Sequence, residues 1–378
     1  MRRAETGLRV VLSGGGSGGH LVPGLELARA LLAEGHSALL LRPGRSVEQR
    51  VLEAYPGLAQ HTVPLANGRL RLPLSMLRAT QHARRALRDF EAQLVVALGG
   101  RGALPGALAA RTMGLPLVVL EQNLVPGQAN RLLARLAQRS FLAFDETREE
   151  LPSRVRARAV VTGMPLRPEI LRRRSPEDRA RLVESLGLPE DAQRTLLIVG
   201  GSQGARALNT KLPLLLASIP AAQRRGWSFL HISGPGREEE ARKAWETAGL
   251  AATVLGFSSQ IGDLLSLSDL VLCRGGAMTL LELAAAGKPS VVVPYPWHRD
   301  DHQGRNAQWF AERGAARVLR EEKLPSDEAA AMLAELLASE ELLQTIGANA
   351  ASLGRPDALR EILCELGELV PETLLEPS

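Results

Sequence analysis

Four times in this chain a short apolar run stops at paired glycines and gives way to residues at helical spacing. Val10–Ser13 runs into Gly14 to Gly19, and Leu94–Leu98 into Gly99 and Gly100. Thr195–Val199 runs into Gly200 and Gly201, and Leu270–Cys273 into Gly275 and Gly276. Apolar runs this short, bounded by turn residues and followed by helical periodicity, read as strands of βαβ units, and hence as parallel sheets. All-helical and all-antiparallel architectures are excluded. Two of the turns fall in each half, which predicts two Rossmann-like α/β domains rather than one large sheet.

The boundary is expected near Thr162–Arg174, where a Gly163-Met-Pro165 turn precedes Pro168 and the triplet Arg172 to Arg174. A fresh strand begins only at Thr195. The expected division is therefore an N-terminal domain over 1–163, a C-terminal domain over 164–350, and a terminal helix and tail over 351–378. Beyond Val318 the spacing predicts helices over Ser326–Ala338 and Pro356–Leu369.

Composition narrows the function. A chain of 378 residues has room for two ordinary domains, and 45% hydrophobic with 23% charged residues is the balance of a globular protein. Aromatics are scarce, so Leu, Val and Ala must build the core. A net charge of +5 falls short of the basic stripe of a nucleic-acid binder, so no nucleic-acid partner is expected. Two cysteines, Cys273 and Cys364, cannot make a disulfide framework or a cysteine zinc site. Met1 to Leu8 is polar, and no stretch approaches the ~20 apolar residues of a membrane span. A cytoplasmic protein is expected, at most resting on a membrane surface.

A helix N-terminus exposes unpaired N–H groups and the positive end of the helix dipole, and glycines let a phosphate approach them. Gly14, Gly16 and Gly19 fit G-x-G-x-x-G, the pattern of a dinucleotide site. That reading needs an acidic residue at the end of the second strand. Ser37–Leu41 instead ends in Arg42-Pro-Gly-Arg45, which leaves an NADP-dependent oxidoreductase as an alternative. The plainer account is that the glycines allow tight strand–helix packing. His20 follows the loop, where a neutral imidazole can take a proton near pH 7 or simply pack.

In the second half, Gly200 to Asn209 puts a hydroxyl and an amide among glycines, which suits oxygen-rich ligands. Gly275 to Thr279 would present backbone N–H groups to a diphosphate. Glu282, one turn further on, either accepts from a ribose diol or closes a capping box with Thr279. From Pro294 to Asn306 a polar loop is expected, with acids, amides and imidazoles suited to sugar hydroxyls. His298 and His302 would bind a metal only on a helix, and the adjacent prolines argue for a loop. No Asp-x-Asp occurs, so a leaving diphosphate would be neutralised by helix ends and Arg167. Neither metal nor cofactor is expected.

These residues in this order resemble the MurG family, the UDP-N-acetylglucosamine transferases of bacterial peptidoglycan synthesis. The resemblance runs from Gly14 to about Ala316. It rests on the glycine loop ending in His20, on Glu121-Gln-Asn123, on Gly200-Gly-Ser202-Gln-Gly-Ala205, and on Gly276-Ala277-Met278-Thr279 with Glu282 and the following alanines. It implies a GT-B fold, two Rossmann-like domains facing across a cleft. The implied reaction inverts the sugar as N-acetylglucosamine passes from UDP-N-acetylglucosamine to the C4 hydroxyl of lipid I, giving lipid II.

The catalytic residues it implies are His20 and Glu282. Ser17, Gly18, Gly19, Asn123, Arg167, Ser202, Ala277, Met278, Thr279, Glu282, His302 and Gln303 would contact UDP-N-acetylglucosamine. Gly15, Gly16, Gly100 and Arg101 would receive the acceptor's diphosphate. Departures from the family pattern cluster on the acceptor side. Leu120 stands where the family has His, Arg101 where it has Tyr, Met164 where it has Asn, and His302 where it has Gln. A GT-B transferase for another lipid or a small aglycone is the alternative they leave.

From Arg69 to Arg88 there are six arginines and no acid, interleaved with leucines. Such a stretch suits docking on an anionic bilayer, on the cytoplasmic face of the plasma membrane. Its plainer reading is an amphipathic helix with a solvated basic face.

Overall fold

Thirteen strands, all parallel, form two separate sheets in the computed structural model, which describes residues 7–15, 18–65, 72–172, 174–189, 192–297 and 300–369. The first sheet comprises β1 (Arg9–Gly14), β2 (Ser37–Arg42), β3 (Ala59–Thr62), β4 (Leu94–Gly99), β5 (Leu117–Glu121), β6 (Arg139–Leu142) and β7 (Ala159–Val161), in the order β3-β2-β1-β4-β5-β6-β7. The second comprises β8 (Arg194–Val199), β9 (Trp227–Ile232), β10 (Thr253–Leu255), β11 (Leu270–Cys273), β12 (Ser290–Val292) and β13 (Arg317–Val318), in the order β10-β9-β8-β11-β12-β13. Renumbered from its own first strand, the second sheet repeats the 3-2-1-4-5-6 order of the first, the Rossmann order.

The central strands are buried on both faces, as parallel sheets covered by helices require. β4 is buried throughout, and β1 is buried from Val10 to Gly14. With few aromatics available, small residues close the first core: Ala79, Ala83, Ala103 and Ala107 pack with Val11, Val95 and Leu133. The second core adds Phe229 and Trp245 to Leu196, Ile198, Leu208 and Leu272. Each fully buried aliphatic side chain contributes roughly 1.5–3 kcal/mol, so these strands are the stable frame of each unit.

The chain divides after Leu166, and the second unit runs from Arg167 to Arg355. The turn residues had placed these boundaries at 163 and 350. After Pro356 the chain belongs to the first unit again. There the helix Ala358–Gly367 buries Ala358, Ile362 and Leu366, one stripe at four-residue spacing. Arg139, at the start of β6, pairs with Glu365 at 3.5 Å and Glu368 at 3.1 Å.

Two local expectations are corrected. Between the helices Asp327–Ala338 and Ala358–Gly367 lies a further one, Glu340–Leu353, whose N-cap Ser339 accepts from the N–H of Leu342. The loop expected through Asn306 ends earlier, because His302–Glu312 is helical. His298 lies outside the described residues.

Candidate active site

Each sheet has one switch point, where neighbouring strands send their connections to opposite sides, and ligands of such folds bind beyond the strand ends there. In the first unit the switch point lies between β1 and β4, and in the second between β8 and β11. All four glycine turns stand at these strand ends.

In the first unit, His20 lies in the first turn of the helix Gly18–Ala33. Its Nδ1 is 2.9 Å from Oε1 of Gln122, a buried residue just beyond β5. Gln122 Nε2 donates to the carbonyl of Leu98 on β4 at 3.1 Å. Gly99 has φ +102°, and a Cβ there would fall 2.8 Å from His20 Nδ1 and 2.9 Å from the Asn130 amide. Glycine is what lets the imidazole and the amide lie against this turn.

Behind them sits Glu121. Its Oε2 accepts from Asn130 Nδ2 at 2.6 Å, and its Oε1 accepts from the backbone N–H and the side-chain amide of Asn123 at 2.9 and 3.3 Å. Asn130 Oδ1 in turn accepts from Gly100 N–H at 2.8 Å. Burial pushes the Glu121 carboxyl up to about 7, against the downward pull of these donors. The amide hydrogens of Asn123 and the N–H of Gly100, expected to meet sugar and phosphate, are thus held by a network around one carboxylate. Leu120, at the position where the family pattern has His, is fully buried in β5.

Gly16 and Ser17 lie outside the described residues. Gly18 opens the helix, Gly19 is exposed, and Arg101 is exposed after Gly100. Gly15 is backed by Glu48, whose Oε1 would be 2.6 Å from a Cβ at Gly15. The other oxygen of Glu48 accepts from the N–H groups of Gly44 and Arg45 at 3.1 and 2.9 Å and lies 3.5 Å from Arg42. Arg42 also donates to Gln60. Of the two arginines a 2′-phosphate could use, Arg42 is held by the Glu48 carboxylate and Arg45 is exposed.

In the second unit, Gly204 donates to Gly201 O at 2.9 Å and has φ +71°, and a Cβ there would collide with the carbonyl of Ser233. Ser202 is exposed on this turn. Beneath it, Trp245 Nε1 donates to His231 Nδ1 at 3.0 Å. That donation leaves the ring's proton on Nε2, 3.1 Å from Asn209 Oδ1, and Asn209 Nδ2 donates to Ser233 O at 3.0 Å. Burial holds His231 down to about 4, so this chain of hydrogen bonds is neutral and of fixed direction near pH 7. Nothing in the sequence announced it, because its members are separated by loops and strands.

The helix Ala277–Ala285 begins directly after Gly276, which has no side-chain cap. Thr279 is therefore its third residue, and the capping box with Glu282 does not form. Ala277 and Met278 are buried, so they can offer a ligand only backbone N–H groups, while Thr279 is half-buried. Glu282 is buried, with Oε1 2.8 Å from Nη1 of Arg167. Gln303 Oε1 accepts from Gly275 N–H at 3.1 Å and Tyr295 N–H at 3.0 Å, fixing the glycine turn to the segment after β12. His302 opens its helix and pairs with Asp300 at 3.6 Å.

Two Rossmann-type units in one chain, each with glycine turns at its switch point, make the GT-B fold. Sequence models of glycosyltransferase family 28 match residues 10–142 as its N-terminal domain and 195–362 as its C-terminal domain. The chain belongs to glycosyltransferase family 28. It is 39% identical to a UDP-N-acetylglucosamine--N-acetylmuramyl-(pentapeptide) pyrophosphoryl-undecaprenol N-acetylglucosamine transferase of Chromohalobacter salexigens, across 94% of this chain and 95% of that protein. A protein of the same name from Halorhodospira halophila is also 39% identical, across 94% and 97%. Among solved structures, MurG of Acinetobacter baumannii superposes with a TM-score of 0.75 at 29% identity, covering 96% of this chain and 99% of that one.

Proposed function

We propose that this chain transfers N-acetylglucosamine from UDP-N-acetylglucosamine to the C4 hydroxyl of the muramyl residue of lipid I, giving lipid II for peptidoglycan synthesis. The observation that carries this reading is the end-to-end similarity to transferases named for that reaction. The second unit holds the donor. Glu282, oriented by Arg167, accepts from the ribose hydroxyls, and the Gly200 to Gly204 turn with Ser202 and the start of the helix at Ala277, Met278 and Thr279 face the diphosphate. Gln303 and His302 serve the sugar. The acceptor's diphosphate meets the first unit at Gly15 and Arg101.

The reaction is a single displacement. The C4 oxygen forms a bond to the anomeric carbon on one face as the bond to the phosphate oxygen breaks on the other, and UDP leaves with the electron pair. The C4 proton passes to His20. Helix N-termini aimed at the departing phosphates stabilise the growing charge by about 3 kcal/mol per well-placed donor. General-base assistance supplies about 10²–10⁴ in rate.

Peripheral attachment to an anionic membrane fits the same reading. The helix Leu72–Asp89 packs Ala79, Ala83, Ala86 and Leu87 into the first core and leaves Leu74 and Leu77 more than half exposed, on the stripe that carries Arg78, Arg85 and Arg88. Arg69 to Arg71 lie outside the described residues. No helix among the described residues is long and apolar enough to cross a membrane.

The test incubates the protein with UDP-N-acetylglucosamine and a short-chain lipid I analogue, with UDP-glucose as control. UDP release with formation of the disaccharide product is expected. UDP release only with a different acceptor would replace lipid I by that acceptor.

A further inference from the structure

The contact between His20 and Gln122 carries more information than its length. The carbonyl of Leu98 can only accept, so the amide nitrogen of Gln122 must face it, as it does at 3.1 Å. The amide oxygen is thereby turned toward the imidazole, 2.9 Å from Nδ1. An oxygen acceptor at Nδ1 requires a proton on Nδ1, and in a neutral ring the lone pair then belongs to Nε2. Gln122 is buried and follows the buried strand β5, so its amide cannot swing to solvent. Gly99, with no Cβ, lets the ring lie close enough for this hydrogen bond.

We infer that Gln122 is a positioning residue for the transfer, one that fixes His20 as its Nδ1–H tautomer and so makes Nε2 the atom that receives the acceptor's proton. The inference rests on the reading of His20 as the base. In the step, the C4 oxygen bonds to the anomeric carbon, UDP leaves with the electrons of the broken C–O bond, and the C4 proton moves to Nε2. The ring becomes an imidazolium with protons on both nitrogens, its Nδ1–H still donating to Gln122. A neutral amide fixes the ring's orientation without placing a charge beside it.

The other charged groups of these turns are Glu121, engaged with Asn123 and Asn130, Glu48 behind Gly15, and Arg101 after Gly100. All are present in the wild type and the Gln122 variants. Because Glu121 adjoins position 122 and lies near 7, the same profiles are measured in a Glu121→Gln background, so that a remaining difference reports on the His20 pair. Gln122→Leu is expected to lower kcat tenfold or more while the Kd for UDP stays within twofold. Gln122→Glu retains an acceptor for Nδ1–H and adds a negative charge that favours the imidazolium. It should recover part of kcat and move the acid limb of the kcat–pH profile up by about one unit. A folded, UDP-binding Gln122→Glu protein whose acid limb stays where the wild type's lies would overturn the inference.

Because a carboxylate facing the Leu98 carbonyl can disturb folding, a second measurement uses the unmodified protein. Nitrogen-15 NMR of labelled histidines, with the His20 signals assigned by comparison with His20→Ala, should show a protonated Nδ1 and a bare Nε2 above pH 7.5. The opposite tautomer sinks the inference. Failure of the wild type to turn over the lipid I analogue would instead refute the proposed function and leave the tautomer result to decide this one.

Discussion

Arg167 and Glu282, 115 residues apart, meet through one contact of 2.8 Å between Nη1 and Oε1, with the carboxylate almost wholly buried and the guanidinium about a quarter exposed. A buried carboxylate held on one oxygen by an arginine is fixed in direction, as the proposed role toward a ribose diol requires. Glu282→Ala should weaken UDP binding by about 10–100-fold, the effect of losing hydrogen bonds to a charged group. Some stability is lost with the Arg167 ion pair, but none with a helix cap, because Gly276 rather than Thr279 starts the helix. Calorimetric titration with UDP beside thermal unfolding separates the two effects. A variant with unchanged UDP affinity and a large fall in Tm would reduce Glu282 to a structural residue.

Why the donor side was the more legible half follows from chemistry local in sequence. Gly275 to Glu282 is one strand end, one turn and one helix, so spacing alone placed its backbone donors and its carboxylate together. The choice between ribose ligand and capping box needed the helix start, which sequence gives only to within a few residues. The first unit was legible as strands β1, β2 and β4, because each is an apolar run ending at a turn. The site at their ends depends on Gln122 and Asn130 reaching residues 102 and 30 positions away, and side-chain contacts over such spans leave no periodic trace. The helix Glu340–Leu353 was overlooked because a single residue, Ser339, separates it from its predecessor. His302 was read as loop because the prolines at 294 and 296 lie only a few residues before the helix starts.

Gly99 tests the packing of the imidazole. In Gly99→Ala the added methyl would sit 2.8 Å from His20 Nδ1 and 2.9 Å from Asn130 Nδ2 on a backbone at φ +102°. Backbone strain of about 1–3 kcal/mol adds to the displacement of two side chains. The expected outcome is a fall in Tm of several degrees with kcat reduced at least tenfold, while UDP affinity in the second unit is preserved. Wild-type kcat in this variant would show that the placement of His20 is immaterial to turnover.

Glu121 gives the first unit a pH dependence of definite sign. Its carboxyl is raised by burial from 4.5 to about 7, so between those values the folded state holds a proton that the unfolded chain has released. Stability from this group therefore falls as pH rises from 4.5 and is fully lost above 7, by on the order of 3 kcal/mol. Glu121→Gln cannot titrate, and its amide hydrogens oppose the donors of Asn123 and Asn130. It should be less stable than wild type at pH 5, with the gap narrowing toward pH 8. Denaturant unfolding at both values measures the difference, and parallel pH profiles for the two proteins would remove Glu121 as its source.

The exposed stripe of the helix Leu72–Asp89 separates a membrane-docking face from an ordinary solvated one. Leu74 and Leu77 are 56% and 57% exposed, and burying two such leucines in lipid favours docking by roughly 1.5–3 kcal/mol each. Arg78, Arg85 and Arg88 on the same stripe add about 1 kcal/mol per charge near an anionic surface, an attraction that salt screens. Leu74→Asp with Leu77→Asp should therefore lower association with phosphatidylglycerol vesicles at least tenfold in a flotation assay. UDP binding should be untouched, since neither side chain contributes to the core. Arg85→Glu with Arg88→Glu should weaken binding at low salt and matter less at high salt. Equal vesicle binding by all of these proteins would return the stripe to a solvated helix face.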